Sequence, residues 1–265
     1  MNYGAYLRTL RAHAGTASVA EYGAVKEGGK RYPLVCLTVP GERWLTITSG
    51  FHGEEPAGPL TLAAHLPEIV ALARAHRVGL RIYPCINPSG FEAGSRYNVS
   101  GERPNNDFLR YETTPGIWKG ELRLGEPFLR HALFDHGPKE TRALRPELER
   151  HPAPAAALDI HQDNWMVGAH TYAYAFGPRR RYVPLMREAA KHTKVAVSCA
   201  VHEDVWADEH GLVHYNDGSV TDYFMRRGVP FTAALETTTG TPMEACHQIN
   251  LIWIRGFIAL AAGAR

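Results

Sequence analysis

Three residues of this 265-residue chain have the types and settings to hold a metal ion: His52, Glu55 and His161. In Ser49-Gly50-Phe51-His52-Gly53-Glu54-Glu55-Pro56 a histidine and a glutamate, separated by two residues, stand just past an apolar run. Gly50 and Gly53 give the backbone freedom to bend there, so both side chains can point at one ion. His161 ends the apolar run Ala157 to Ile160, and Asp159 projects from the same face of the expected strand. Two imidazoles and a carboxylate, with a fourth position open, form the donor set of a hydrolytic zinc site. A bare His-x-x-Glu is equally well a solvated loop, and a lone histidine more often sits at the rim of a core. The combination points to one zinc ion per chain. A second polar group, His202, Glu203, Asp204, Asp208, Glu209, His210 and His214, lies in a stretch without clear periodicity and reads as a solvated loop near the site.

Positioning these residues requires strands that end at a common rim. Arg31 to Val39 and Trp44 to Ser49 are rich in Val, Leu, Ile and Thr and read as a β-hairpin turning at Pro40-Gly41-Glu42. The Ala/Leu-rich stretch to about Arg74 is helical by composition, with Pro67 opening a second helical piece. Further strands are expected at Val78 to Tyr83, Ala155 to His161, Thr171 to Phe176, Val195 to Val197 and Pro230 to Leu235. Helices are expected at Glu140 to Arg150, Pro184 to His192, Ser219 to Arg226 and Met243 to Ala262. Tyr111 to Arg130 reads as a long irregular connection, and Phe128 to Phe134 as a short helix. This alternation predicts an α/β fold, a single three-layer domain whose central mixed, mostly parallel sheet is flanked by helices. Strands that end at the carboxyl edge of such a sheet bring ligands together there.

A formal charge of +2 with 21% charged residues provides no concentrated basic field for nucleic acid. Met1 to Leu10 lacks the charged-then-apolar layout of a secretion signal, and no segment reads as a membrane span, so the expectation is a soluble cytoplasmic protein. Cys36, Cys85, Cys199 and Cys246 are scattered without a Cys-x-x-Cys pair and read as ordinary buried thiols.

From about Thr46 to Ile258 the ordered landmarks are His52-x-x-Glu55, Asn87-Pro88-Ser89-Gly90-Phe91, Ser95-Arg96-Tyr97-Asn98, Asn105, Asp159-Ile160-His161, Tyr215 with Gly218-Ser219-Val220-Thr221-Asp222, and Ala234-Leu235-Glu236-Thr237. In this order the chain resembles the zinc carboxypeptidases of the carboxypeptidase A superfamily, and more closely its small bacterial members bordering the aspartoacylase and succinylglutamate desuccinylase group. The resemblance implies that His52, Glu55 and His161 hold zinc, and that Glu236 is the carboxylate acting on the attacking water. It implies that Arg96 steadies the developing oxyanion and that Tyr215 closes over substrate. The residues agree for Glu236, which ends the apolar run Pro230 to Leu235 and so reaches the rim of the metal loop. There a carboxylate can carry a proton from water to a leaving nitrogen.

The pattern departs at two positions. Asn106 stands where the family keeps an arginine that grips the substrate's terminal carboxylate, a contact asparagine cannot make. Arg103 stands where the family keeps an aspartate that orients a zinc-bound histidine, so another acceptor, Asp159 or Asp163, must serve. Arg103 or Arg110 is the candidate to take over the carboxylate contact. The expected activity is zinc-dependent cleavage of an amide bond, with a short peptide as substrate of a metallocarboxypeptidase. The alternatives are an N-acyl amino acid deacylase and a metal-binding protein without turnover.

Overall fold

The computed structural model describes residues 1–13, 15–123 and 125–263. In chain order the elements are α1 (Tyr3–Ala12), β1 (Ser18–Glu27), β2 (Lys30–Val39), β3 (Arg43–Ser49), α2 (Ala57–Ala75), β4 (Val78–Tyr83), α3 (Pro88–Ala93), β5 (Leu109–Thr114), β6 (Ile117–Lys119), β7 (Arg130–Leu133), α4 (Lys139–Glu149), β8 (Ala156–Asp163), β9 (His170–Phe176), α5 (Val183–Ala189), β10 (Lys194–Val195), β11 (Ala200–His202), β12 (Val205–Trp206), β13 (Leu212–Val213), α6 (Val220–Arg226), β14 (Thr232–Thr238) and α7 (Met243–Gly263).

The main sheet runs β1-β2-β4-β3-β8-β14-β9-β10, with β13 also pairing β9. Its centre, β4-β3-β8-β14, is parallel, and β1-β2 and β9 are joined to it in antiparallel fashion. Alternation along β8 sorts its residues to two faces. Leu158 and Ile160 join the large core under α1, α2, α5 and α7, whereas Ala157 packs into a second core with α4 and α6. Asp159 and His161 share the face of Ala157, so the chemistry sits on the α4/α6 side at the carboxyl edge. On the opposite side Trp253, Phe257 and Tyr182 stack with centroids 5.9 to 6.1 Å apart and are fully buried. Each such side chain contributes about 1.5–3 kcal/mol through burial.

The expected hairpin of Arg31–Val39 with Trp44–Ser49 does not form: β4 lies between them, antiparallel to β2 and parallel to β3. The hairpin is instead β1–β2, turning at Gly28 and Gly29, whose φ of 54° and 78° suit a tight two-residue turn. Pro67 does not divide α2, which is continuous. It occupies an exposed position while Leu62, Leu66, Ile69 and Val70 anchor both halves in the core. The stretch expected to be an irregular connection forms a three-stranded ribbon, β6-β5-β7, and Phe128–Phe134 contributes β7, not a helix. α7 has 21 residues and holds an 18-residue window of mean hydropathy 1.2, so by length and composition it could cross a membrane, where the sequence was expected to hold no such segment. Half of it is buried against the sheet, α2 and α5. The cysteines are free, and Cys36, Cys85 and Cys246 are buried as expected, but Cys199 is partly exposed.

Candidate metal centre

Backbone geometry first fixes the loop that carries His52 and Glu55. The Glu55 N–H donates to the His52 carbonyl at 3.2 Å, closing a turn that returns both side chains toward β8. Gly53 lies against the start of α3: a Cβ there would come 1.9 Å from the Gly90 carbonyl carbon, so no other residue fits. Asn87 caps α3 by accepting from the Gly90 N–H at 2.9 Å, which accounts for the Asn-Pro-Ser-Gly landmark. The loop is also tied to β8. Pro56 offers α2 no side-chain cap, and Gln162 Oε1 accepts from the Ala57 N–H at 2.8 Å instead.

The two imidazoles converge on Glu55. His52 Nδ1 lies 2.7 Å from Oε1 and His161 Nδ1 lies 2.7 Å from Oε2, and all three side chains are buried. Their ligand atoms lie within 4.8 Å of one another, and these are the residues among those described that gather as a metal-binding group. The polar cluster from His202 to His214 does not gather; Asp208 pairs with Arg179 and caps its own loop. Two nitrogens and a carboxylate facing one point can hold a single divalent ion.

Behind these donors, His161 Nε2 lies 2.7 Å from Asp159 Oδ2, and Asp159 Oδ1 accepts from Thr48 Oγ1 at 2.8 Å. Strand register causes this, because Thr48 pairs with Asp159 across β3 and β8. Of the two candidate acceptors, Asp159 therefore lies against a candidate ligand imidazole; Asp163 instead accepts from the N–H groups of Trp165 and Met166. The Nε2 of His52 has no partner among the described residues. Burial works to lower the pKa of both imidazoles and prevails at His52, while Asp159 and Glu55 on either side of His161 raise it well above the ordinary value. Burial opposes ionisation of Glu55, but the two imidazoles hold it well below the usual carboxylate range.

Glu236 pairs with His161 in the β14–β8 register, on the same face, and Ala234 below it pairs with Asp159. A small residue there leaves room above the sheet. Burial raises the pKa of Glu236 well above the carboxylate range, and its Oε2 has no partner among the described residues. Arg96 Nη1 donates to Glu55 Oε1 at 3.0 Å and to Glu54 Oε1 at 3.3 Å, and Asn164 Nδ2 holds Glu54 at 2.8 Å.

A cleft of about 290 Å³ opens over these groups and is lined by His52, Arg96, His161 and Glu236. Of the expected substrate residues, Arg103, Asn105, Asn106 and Tyr215 also line it. Arg110 does not. Its guanidinium lies 3.9 Å over the Phe134 ring and donates to backbone carbonyls. Asn105 adopts φ 119°, a costly backbone that turns its side chain between Val220 N–H and His161. Asn106 accepts from Arg103 Nη2 at 2.6 Å and donates to Asp217 Oδ2 at 2.8 Å. Sequence reasoning missed Tyr174, Glu121 and Asp217 on the cleft wall, and gave no role to Thr221, which it names within a landmark. Alternation along β9 could have found Tyr174, which pairs with Ala234. Glu121 arrives through a single bridge between Leu122 and Asn216 that no local signal announces.

No family model matches the chain. Its sequence is 33% identical to murein peptide amidase A of Escherichia coli K12 over 99 residues, which cover 34% of this chain and 39% of that protein, well under half of its length. Among solved structures, a protein of Shewanella denitrificans OS217 described as a "putative metallopeptidase" superposes with a TM-score of 0.73 at 23% identity, covering 98% of this chain and 90% of that one. A metallo-carboxypeptidase of Burkholderia cenocepacia gives 0.67 at 15% identity over 96% and 68% of the two chains. The fold is that of the metallocarboxypeptidases. In that fold the expected sheet and flanking helices are all present, and the ends of β3, β8 and β14 deliver His52, Glu55, His161 and Glu236 to one rim.

Proposed function

We propose that the chain is a zinc-dependent amide hydrolase of the metallocarboxypeptidase type, removing the C-terminal residue of a short peptide in the cytoplasm. One arrangement carries the reading. Register sets Glu236 beside His161, and its unpartnered oxygen belongs to a carboxyl lining the cleft that the metal donors line. The N₂O donor set with an open side suits zinc, which when bound supplies Lewis-acid polarisation and lowers the pKa of water at the site.

Glu236 takes a proton from the attacking water and delivers it to the leaving nitrogen. The burial that raises its proton affinity helps it hold that proton between the two transfers. The Arg96 guanidinium offers planar donors to the oxygen on which negative charge develops, with Glu54 steadying it at the cleft edge. Arg103 has no acidic partner among the described residues, lines the cleft and is steadied by Asn106, so it takes the terminal carboxylate of the substrate. By its name, murein peptide amidase A acts on murein peptide, which places short cell-wall peptides among the candidate substrates.

The decisive assay offers the zinc-loaded protein paired peptides with free and amidated C-termini, beside N-acetyl and N-succinyl amino acids, with chelator controls. Preference for free C-termini supports the proposal. Cleavage confined to N-acyl amino acids moves the chain to the deacylases, and absence of chelator-sensitive turnover overturns the hydrolase reading. Arg103→Ala should raise KM for free C-termini about tenfold, as loss of a charge-assisted contact does, whereas Arg110→Ala leaves it within about twofold. Equal effects of the two substitutions would remove Arg103 from its role.

A further inference from the structure

Asn105 holds a backbone conformation that something must enforce. Its φ of 119° lies where L side chains rarely settle, and such a residue persists only when its surroundings keep it there. The contact that does so runs backward along the chain. The Asn105 N–H donates to Asp107 Oδ1 at 2.9 Å, whereas an aspartate in an ordinary turn accepts from an N–H two residues after it. Just beyond, the Phe108 and Leu109 N–H groups both donate to the Gly218 carbonyl, at 2.9 and 3.2 Å, pinning the outgoing chain to the segment before α6. The Asn105 side chain reaches α6 itself, where its Oδ1 accepts from the Val220 N–H at 3.3 Å. Its Nδ2 lies 3.4 Å from His161 Nε2, but that nitrogen is already committed to Asp159 Oδ2 at 2.7 Å. The amide hydrogens of Asn105 are therefore available to the cleft that it lines.

Asp107 is itself fixed from two sides. Thr141, in the first turn of α4, donates through Oγ1 to Asp107 Oδ1 at 3.1 Å. Gly137 packs so closely on the other oxygen that a Cβ there would come 2.1 Å from Oδ2. Asp107 is 5% exposed, and its Oδ2 has no hydrogen-bond partner among the described residues. Burying an oxygen in this way is costly, so fold stability alone does not favour an aspartate at this position. What the position demands is Oδ1 as an acceptor, and an amide oxygen meets that demand as a carboxylate does.

We propose that Asp107 is a positioning residue: by holding the Asn105 backbone at its strained φ it aims the Asn105 side-chain amide into the cleft, and peptide affinity depends on that contact. That the ligand is a peptide rests on the hydrolase reading; the aiming does not. Asp107 does not line the cleft, and neither does any residue of α4. It links that helix to the cleft floor and acts on a ligand only through Asn105. Without the contact φ relaxes toward the commoner regions and the amide swings away, while His52, Glu55, His161 and Glu236 stay where their own strands and loop put them.

Two readouts on the zinc-loaded protein test this. The first needs no ligand: nuclear Overhauser contacts from the Asn105 side-chain amide to the Val220 N–H and the His161 ring are expected in wild-type and Asp107→Asn protein and absent from Asp107→Ala protein. The second is calorimetric binding of N-acetyl-Ala-Ala in a Glu236→Gln background. Affinity should fall about tenfold with Asp107→Ala, as loss of one hydrogen bond does, and less than about twofold with Asp107→Asn. With Glu236 intact, KM should rise in the same ratio while kcat changes less than about threefold. If Asp107→Ala does not fold, Thr141→Val removes the other donor to Oδ1 and should loosen the same contacts, with about a threefold loss of affinity; unchanged contacts and affinity there overturn the proposal. In an Asn105→Gly background the φ is unstrained and the amide gone, so Asp107→Ala should add less than about twofold. Contacts and affinity that survive Asp107→Ala overturn the proposal, as does an effect that persists in the glycine background. Asp107→Asn as damaging as Asp107→Ala also overturns it, because the charge would then serve Arg110 and Arg145, the cations that act on Asp107. Loss of the amide contacts in a protein that never binds the dipeptide supports the positioning and removes the hydrolase reading, so the two failures are separable.

Discussion

At the scale of single residues, the proposed reading divides the site into groups that would hold a metal and groups that would move protons, and each division can be tested. Glu236→Gln keeps the shape and loses the base. Turnover should fall by about 10²–10⁴, the range for removing a general acid–base, while zinc content by atomic absorption stays near one per chain. Asp159→Asn breaks a different contact, the one that fixes the His161 ring through Nε2. It should weaken zinc affinity about 10–100-fold in a chelator competition, with a smaller loss at saturating zinc. These residues were legible in the sequence because each belongs to a local pattern: a strand end, a glycine turn, a period of two. Glu121 and Asp217 were not, because they reach the cleft through a pairing between distant segments. Arg110 does not line the cleft for the same kind of reason, since an aromatic ring and two carbonyls, which no spacing announces, hold its guanidinium.

At the scale of elements, the contact between the metal loop and α3 leaves the least freedom. Gly53→Ala places a methyl inside the Gly90 carbonyl and must displace either the loop or the helix. Overpacking of this kind costs about 1–3 kcal/mol, and the shift also moves His52 and Glu55. A denaturation midpoint lowered by that amount, with reduced zinc affinity, is the expected result; a variant with normal stability and zinc affinity would show that the loop yields. Most elements could be read from composition and periodicity, since the parallel strands are near-continuous apolar runs and the long helices are rich in Ala and Leu. What failed was pairing. β2 and β3 both have strand chemistry and a Pro-Gly between them, yet β4 takes the place beside each, and only the sheet as a whole decides that. The ribbon escaped because β6 and β7 are short and exposed throughout, leaving no apolar alternation to detect.

At the scale of the whole molecule, three buried carboxyls away from the metal donors link folding to pH. Burial pushes Glu140 up to about 7 and Asp107 and Asp222 each up to about 6. A carboxyl raised in the folded state keeps its proton while the unfolded chain has released its own. Its stabilising contribution is therefore fully present below the unfolded value near 4.5 and is lost as pH rises through 6 to 7. Glu140, which accepts from Asn98 Nδ2 at 3.0 Å, should dominate. Glu140→Gln should gain about 2 kcal/mol on the wild-type protein between pH 5 and pH 8, read from paired chemical denaturation curves. A constant difference across that range would show that Glu140 does not titrate there. The distribution of thiols has a practical consequence. Burial pushes Cys36 up to about 11 and raises Cys85 and Cys246 as well, so these three resist alkylation. Cys199 is partly exposed, and its carbonyl accepts from the Ala207 N–H at 2.9 Å beside the β11–β12 wall of a second cavity, of about 820 Å³, that shares Glu121, Val205 and Tyr215 with the cleft. The unaltered chain thus carries one addressable position for a thiol-reactive fluorophore, where substrate arrival can be followed in real time without engineering a label.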